Sequence, residues 1–179
     1  VVGDLNNLGE YQESLIYGAK DLMKKRDLRY LNLPAYYNSG VLYINVNEWI
    51  ENSCQDKLVE NIEREKSKLL LPDQDLINIT LFDKFDTLPV EYNIGPVEMI
   101  FSDLANRIYF DMSNRQVSAA EIKEAKEKPK IYHAYGYGSI KPWLNNESNP
   151  MNEDFMKYIL QANPSYQRKD IENIFKILA

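Results

Sequence analysis

The sequence holds one cysteine, Cys54, and one histidine, His133, among its 179 residues. A single cysteine excludes an internal disulfide and any zinc site built on several thiolates, and it suits a reducing compartment. A single histidine excludes the His-rich sites of hydrolytic zinc enzymes, so any metal here is held mainly by oxygen. Basic residues are few. Lys and Arg number 21 against 27 Asp and Glu, a formal charge of −6. The densest cationic cluster, Lys24-Lys25-Arg26 with Arg29, is interrupted by Asp27. A protein that wraps duplex nucleic acid carries a basic face; this composition offers none, so nucleic acid is excluded as a partner. No run of about 18 apolar residues occurs, and no transmembrane helix is expected. Repeats, low-complexity tracts and Gly/Ser linkers are absent as well.

What is present reads as a globular α/β chain. A hydrophobic share of 44% excludes disorder, and the length corresponds to about one domain. Val1-Val2-Gly3-Asp4-Leu5 reads as a strand end running into a turn, with no targeting pattern. The expectation is that the chain opens inside a larger fold. A short basic helix is expected over 22–31, closed before Pro34. Residues 36–46 contain Val41, Leu42, Tyr43, Ile44 and Val46 almost without a polar break, the mark of a buried strand. One helix is expected over 47–68, with Ile50, Cys54, Leu58 and Ile62 as its inner stripe and Cys54 as a buried structural thiol. Asp73 is the expected N-cap of the next helix, whose apolar face is Leu76, Ile77, Thr80 and Leu81. A strand is expected over 88–94. Ser118-Ala119-Ala120-Glu121 is a capping box for a helix over 119–127, and a short strand over 130–132 should follow Pro129. Two helices are expected over 152–162 and 167–178, the second with Ile171, Ile174, Phe175 and Leu178 on one side. Alternating strands and helices argue a layered α/β fold.

Three segments carry chemistry. In Tyr37-Asn38-Ser39-Gly40-Val41, Asn38 both donates and accepts hydrogen bonds, and Gly40 permits close backbone approach. Pro72-Asp73-Gln74-Asp75 places two carboxylates and an amide at a helix start, where they can cap the helix or turn outward to sugar hydroxyls. His133-Ala134-Tyr135-Gly136-Tyr137-Gly138-Ser139-Ile140-Lys141-Pro142-Trp143 follows an expected strand. Its glycines free backbone N–H groups for phosphate oxygens, and its lysine adds a positive charge. Plainer readings stand beside these: a tight turn, an acidic helix start, and an aromatic surface loop with a packed histidine.

In order along the chain, Tyr37 to Asn45, Trp49, Pro72 to Asp75, Leu88-Pro89 with Tyr92-Asn93, and His133 to Trp143 together resemble glycosyltransferase family 8. The resemblance covers about residues 1–143 and implies the A-type nucleotide-diphosphosugar transferase fold. Residues 1–143 would then be the C-terminal part of the transferase domain, and 144–179 a helical extension. The activity it implies is retaining transfer of glucose or galactose from a UDP-sugar to a glycan or lipopolysaccharide-type acceptor, with manganese. Asn38, Asp73 and Gln74 would bind the donor sugar, Gln74 lying against its reacting face. His133 would be a manganese ligand, and Gly136, Gly138 and Lys141 would contact the diphosphate. A cytoplasmic location, extending to the inner face of a membrane, is implied with these roles. The sequence departs from the pattern in two ways. The Asp-x-Asp metal motif is absent, and the resemblance places it, with a uridine-binding half, ahead of the 1–5 stretch; the 179 residues alone are therefore expected not to turn over a UDP-sugar. Lys141 also lies farther from His133 than the family's spacing, with Gly138 able to share the backbone contact. The rival readings are a non-catalytic sugar- or phosphate-binding module and a partner-binding domain docking through its last two helices.

Overall fold

The structure is a computed structural model that describes residues 1–21, 31–102, 104–105, 116–135, 141–144 and 149–178. The helix expected over 22–31 falls almost wholly outside the described residues, as do Gly136 and Gly138.

A three-stranded sheet in the order β2-β1-β3 forms the centre of the described chain. Its middle strand, β1 (Ile16–Lys20), was not anticipated. It pairs antiparallel with β2 (Tyr37–Ile44), Ile16 opposite Ile44 and Lys20 opposite Tyr37. It pairs parallel with β3 (Phe85–Leu88), Ile16 opposite Phe85 and Ala19 opposite Leu88. Side chains alternate across a strand, so β1 feeds two cores. Ile16 packs with Leu15, Cys54 and Leu81 on one face, and Tyr17 with Leu88 and Tyr92 on the other. Residues 1–5 form no strand; the Val2 and Gly3 N–H groups both donate to the Lys130 carbonyl, at 2.9 and 3.1 Å.

β2 lies where the sequence places it but ends at Ile44, and it is not the buried strand expected: only Tyr37 of it is buried, because β2 is an edge strand of the described sheet and Val46 already belongs to the next helix. The helix expected over 47–68 is broken in two, α1 (Val46–Glu51) and α2 (Cys54–Glu65), by Ser53 in the left-handed conformation at φ 49°. The turn rotates the first segment out of the stripe. Ile50 is 67% exposed and Ile62 41% exposed, while Cys54 is fully buried and Leu58 packs beside it. Cys54 is the structural thiol expected, and burial pushes its pKa up.

Helix α3 (Pro72–Leu81) begins two residues earlier than an Asp73 cap predicts, with Leu71 as N-cap and Pro72 in the first turn. Proline suits that position because its missing N–H needs no partner there. Asp73 is therefore not the cap. The inward face differs in part: Leu81 is buried and Ile77 packs beside it as expected, but Gln74, Asp75 and Asn78 are buried with them, because these polar groups find partners on β2 and the adjoining loops (below). The strand expected over 88–94 is shorter and earlier, as β3. Farther on, Ile94 makes a single parallel bridge to Tyr132 in place of the strand expected over 130–132.

Helix α4 (Pro96–Ile100) is followed by α5 (Ala119–Glu127), whose capping box forms as expected: Ser118 Oγ accepts from Glu121 N–H and the Glu121 carboxylate accepts from Ser118 N–H. Helices α6 (Met151–Ala162) and α7 (Arg168–Leu178) sit at the expected places and share a cluster around Met156 and Ile171, with Trp143 against it. The Arg168 guanidinium joins them, donating to Glu153 on α6 at 3.0 and 2.5 Å.

Candidate functional site

The site begins where α3 is fastened to β2. Asn78, fully buried, accepts from Tyr37 N–H at 2.7 Å and returns a bond from Nδ2 to Tyr37 C=O at 2.7 Å. It thus satisfies both backbone groups of one strand residue from a helix. Asp75, also fully buried, accepts from Leu70 N–H at 2.6 Å, Leu71 N–H at 2.9 Å and the Tyr36 hydroxyl. These bonds fix the start of α3 beside residues 38–40. Buried polar groups are retained where every atom finds a partner.

Residues 38 and 39 then both meet Gln74, and residue 40 meets His133. Asn38 Nδ2 donates to Gln74 Oε1 at 3.0 Å and to Asp21 Oδ2 at 3.1 Å. Ser39 N–H donates to Gln74 Oε1 at 3.0 Å and its hydroxyl to Asp73 Oδ2 at 2.7 Å. Gly40 lies under the His133 ring: a Cβ at this position would stand 2.0 Å from His133 Cε1 and 2.4 Å from Nε2. The Ser39 N–H decides the orientation of the Gln74 amide, since only the oxygen can accept there. Gln74 Nε2 is thereby turned to Asp21 Oδ2, at 3.0 Å. One carboxylate oxygen of Asp21 receives both amides.

Asp21 was missed by sequence reasoning. It follows β1 directly, and its N–H donates to Tyr36 C=O at 2.8 Å. Gln116, also missed, secures that corner. Its Nε2 donates to Asp21 C=O and Tyr36 C=O at 3.0 Å each, and its Oε1 accepts from Tyr36 N–H at 2.7 Å.

His133 is half-buried at the end of the Ile94–Tyr132 bridge, its N–H on the Ile94 carbonyl at 3.0 Å. Its Nδ1 lies 2.8 Å from Asn93 Oδ1. An amide oxygen accepts only, so the proton sits on Nδ1 and Nε2 keeps its lone pair. Desolvation, and then the Lys141 charge, hold the imidazole pKa below its ordinary value, with Asp21 opposing. A neutral ring oriented by a second group is the state a metal ligand requires. His133 thus fits as one ligand, whereas no group of three or more His, Cys, Asp or Glu able to hold a metal occurs among the described residues. Lys141 Nζ donates to Ala134 C=O and lies 5.1 Å from the Trp143 ring centroid. The structure therefore brings Asn38, Asp73, Gln74, His133 and Lys141 to one region and adds Asp21 to it.

A family model described as Glycosyl transferase family 8 matches residues 15–147. The chain is 27% identical over 133 residues to a lipopolysaccharide 1,2-glucosyltransferase of Escherichia coli, covering 73% of this chain and 35% of that protein. It is 21% identical over 155 residues to general stress protein A of Bacillus subtilis, covering 86% of this chain and 51% of that protein. The chain thus spans about half, or less, of the length of these relatives. Among solved structures, the WbbM bifunctional glycosyltransferase superposes with a TM-score of 0.70 at 22% identity, covering 97% of this chain and 32% of that one. The galactosyltransferase LgtC, solved with donor and acceptor sugar analogues, gives 0.62 at 20% identity, covering 86% of this chain and 55% of that one. These likenesses establish the fold expected from the sequence, the A-type nucleotide-diphosphosugar transferase fold.

Proposed function

The chain belongs to glycosyl transferase family 8, and we propose that the protein carrying it is a retaining glycosyltransferase that moves glucose or galactose from a UDP-sugar to a glycan or lipopolysaccharide-type acceptor. The carrying observation is the meeting of three distant segments on residues 38–40, where Gln74 and Asp21, Asp73, and His133 converge. Transfer needs two things at adjoining places: polar groups that read sugar hydroxyls, and positive charge for the departing diphosphate.

Asn38, Asp73 and Gln74 supply the first. Gln74 is held on both ends of its amide, so its dipole is preorganised before substrate arrives. An amide is a poor nucleophile, while double displacement with retention calls for a carboxylate. The arrangement therefore favours attack of the acceptor on the face that the phosphate leaves, with Gln74 Oε1 stabilising positive charge on the sugar.

His133 and Lys141 supply the second. His133 would hold manganese together with diphosphate oxygens and carboxylates outside the described residues. The metal, when bound, supplies Lewis-acid stabilisation of the leaving diphosphate. Lys141 adds a charge to the same group, and backbone N–H groups at Gly136 and Gly138 are assigned contacts to it. The transfer domain is assigned to residues 1–143 and a helical extension to 144–179. The location that goes with this reading is cytoplasmic.

The test is turnover of UDP-glucose and UDP-galactose by the protein carrying this chain, with the product anomer read by NMR. An α-linked product from the α-configured donor is expected. Gln74→Ala should lower kcat by about 100-fold or more, in the range for loss of one preorganised group. Inverted product, or nearly full turnover by Gln74→Ala, would overturn the mechanism.

A further inference from the structure

His133 and Tyr135 are two rings held in the same way by one segment of the chain, and Tyr135 stands outside the proposed chemistry. Each ring rests on a glycine. The His133 ring fills the place of a Cβ at Gly40, and the Tyr135 ring fills that at Gly95, where such an atom would stand 2.0 Å from Cε1 and 2.1 Å from Cζ. Each ring also ends on a polar side chain of residues 93–98. His133 Nδ1 meets Asn93 Oδ1 at 2.8 Å, and the Tyr135 hydroxyl donates to Glu98 Oε2. Glu98 is only 1% exposed, and a carboxyl buried so deeply is kept where it is bonded. The two rings meet edge to face, their centroids 5.3 Å apart and their planes at 64°. The backbone couples them further. The His133 N–H is bonded to Ile94 C=O at 3.0 Å, and the Tyr135 N–H folds back onto His133 C=O at 2.8 Å. This closes a three-residue turn, and Ala134 at its apex receives Lys141 Nζ.

We propose that Glu98 and Tyr135 form a positioning pair for His133: the buried carboxyl holds the tyrosine hydroxyl, and the tyrosine ring holds the imidazole in one orientation before a divalent cation arrives. This rests on the reading of His133 as a metal ligand. The bond at Nδ1 fixes which nitrogen carries the proton but leaves the ring plane free to tilt. A second ring packed against it removes that freedom. The packing ring keeps its own place only if its far end is held, and Glu98 holds it. Groups that orient a ligand without touching the metal set much of its affinity. Tyr135→Phe probes the pair cleanly, because it keeps a ring over Gly95 and against His133 and removes only the hydroxyl that reaches Glu98.

The test uses the protein carrying this chain in two ways: manganese binding in the presence of UDP, read from the paramagnetic resonance of the free ion, and the manganese dependence of UDP release from a UDP-hexose. Tyr135→Phe is expected to weaken manganese binding about tenfold, as for other groups that orient a ligand. At saturating manganese its kcat should stay within about threefold of the wild type, the pattern of weakened binding with the reacting groups intact. Glu98→Gln keeps an oxygen able to accept from the hydroxyl and should bind manganese nearly as the wild type does. In a His133→Ala background Tyr135→Phe should add no further loss, since residues that act through one another are not additive. Unchanged manganese binding in Tyr135→Phe, beside a loss in His133→Ala, would overturn the role of the pair alone. So would a further loss in the double variant, the sign of general distortion, or a Glu98→Gln protein as weak as Tyr135→Phe, which would assign the effect to the buried charge. Manganese binding indifferent to His133→Ala would overturn the ligand reading itself.

Discussion

Gly40 shows how a single absent atom can hold a site together. The His133 ring occupies the space that a Cβ would take, at 2.0 Å from Cε1. Gly40→Ala must therefore displace either the strand or the ring. The expected outcome is a loss of transfer of at least about tenfold, since small misplacements of a reacting group are costly, with a melting temperature lowered by only a few degrees. Turnover and thermal unfolding of the same variant check both parts. Asp21 is the opposite case, a group whose removal orphans others. Asp21→Ala leaves Asn38 Nδ2 and Gln74 Nε2 without their shared acceptor. The expected cost is about 1–3 kcal/mol in denaturant unfolding. Asp21 was not legible in the sequence because a lone aspartate after a short strand carries no pattern. Only folding sets it against residues more than a dozen positions away. Asn38, Asp73 and Gln74 were legible because they sit in compact segments whose order along the chain is distinctive, as is His133.

At the scale of elements, legibility followed local chemistry. The α5 capping box needs only Ser118 and Glu121, three residues apart, and it forms as read. Hydrogen bonds from Ser118 hold the Glu121 carboxyl below its ordinary value. A carboxyl depressed in the folded state stabilises it above the ordinary carboxylate range, and that contribution is lost as pH falls through the depressed value. Ser118→Ala is thus expected to cost about 1 kcal/mol at neutral pH, with the gap to wild type narrowing in acid. Denaturant titrations at neutral and acidic pH measure this. Elements whose form depends on distant partners were read less well. β1 contains Gly18 and Ala19 and is only five residues long, so its strand signal is weak; pairing on both sides supplies what propensity does not. The single helix expected over 47–68 ignored Ser53, whose left-handed backbone turns Ile50 out to solvent. On α3 Leu81 is buried and Ile77 packs beside it as the apolar spacing suggested, but Asp75 and Asn78 are buried too, because they are completed by bonds to Tyr36, Tyr37 and the preceding loop.

On the scale of the molecule, the sheet brings to one edge groups that are far apart in sequence. β2 carries residues 38–40, α3 is clamped to it through Asn78, and the Ile94–Tyr132 bridge delivers His133 above Gly40. The net charge of −6 is compatible with an anionic donor because charge is met locally, by Lys141 and a metal at His133 in the proposed site. The most direct measurement is manganese-dependent release of UDP from a UDP-hexose by the protein carrying this chain, wild type beside His133→Ala. Turnover by the wild type should be abolished by chelation and restored by manganese, and His133→Ala should lose at least about tenfold, the lower end of the cost of removing groups that orient a metal. Equal turnover by the two proteins, or turnover indifferent to chelation, would contradict it.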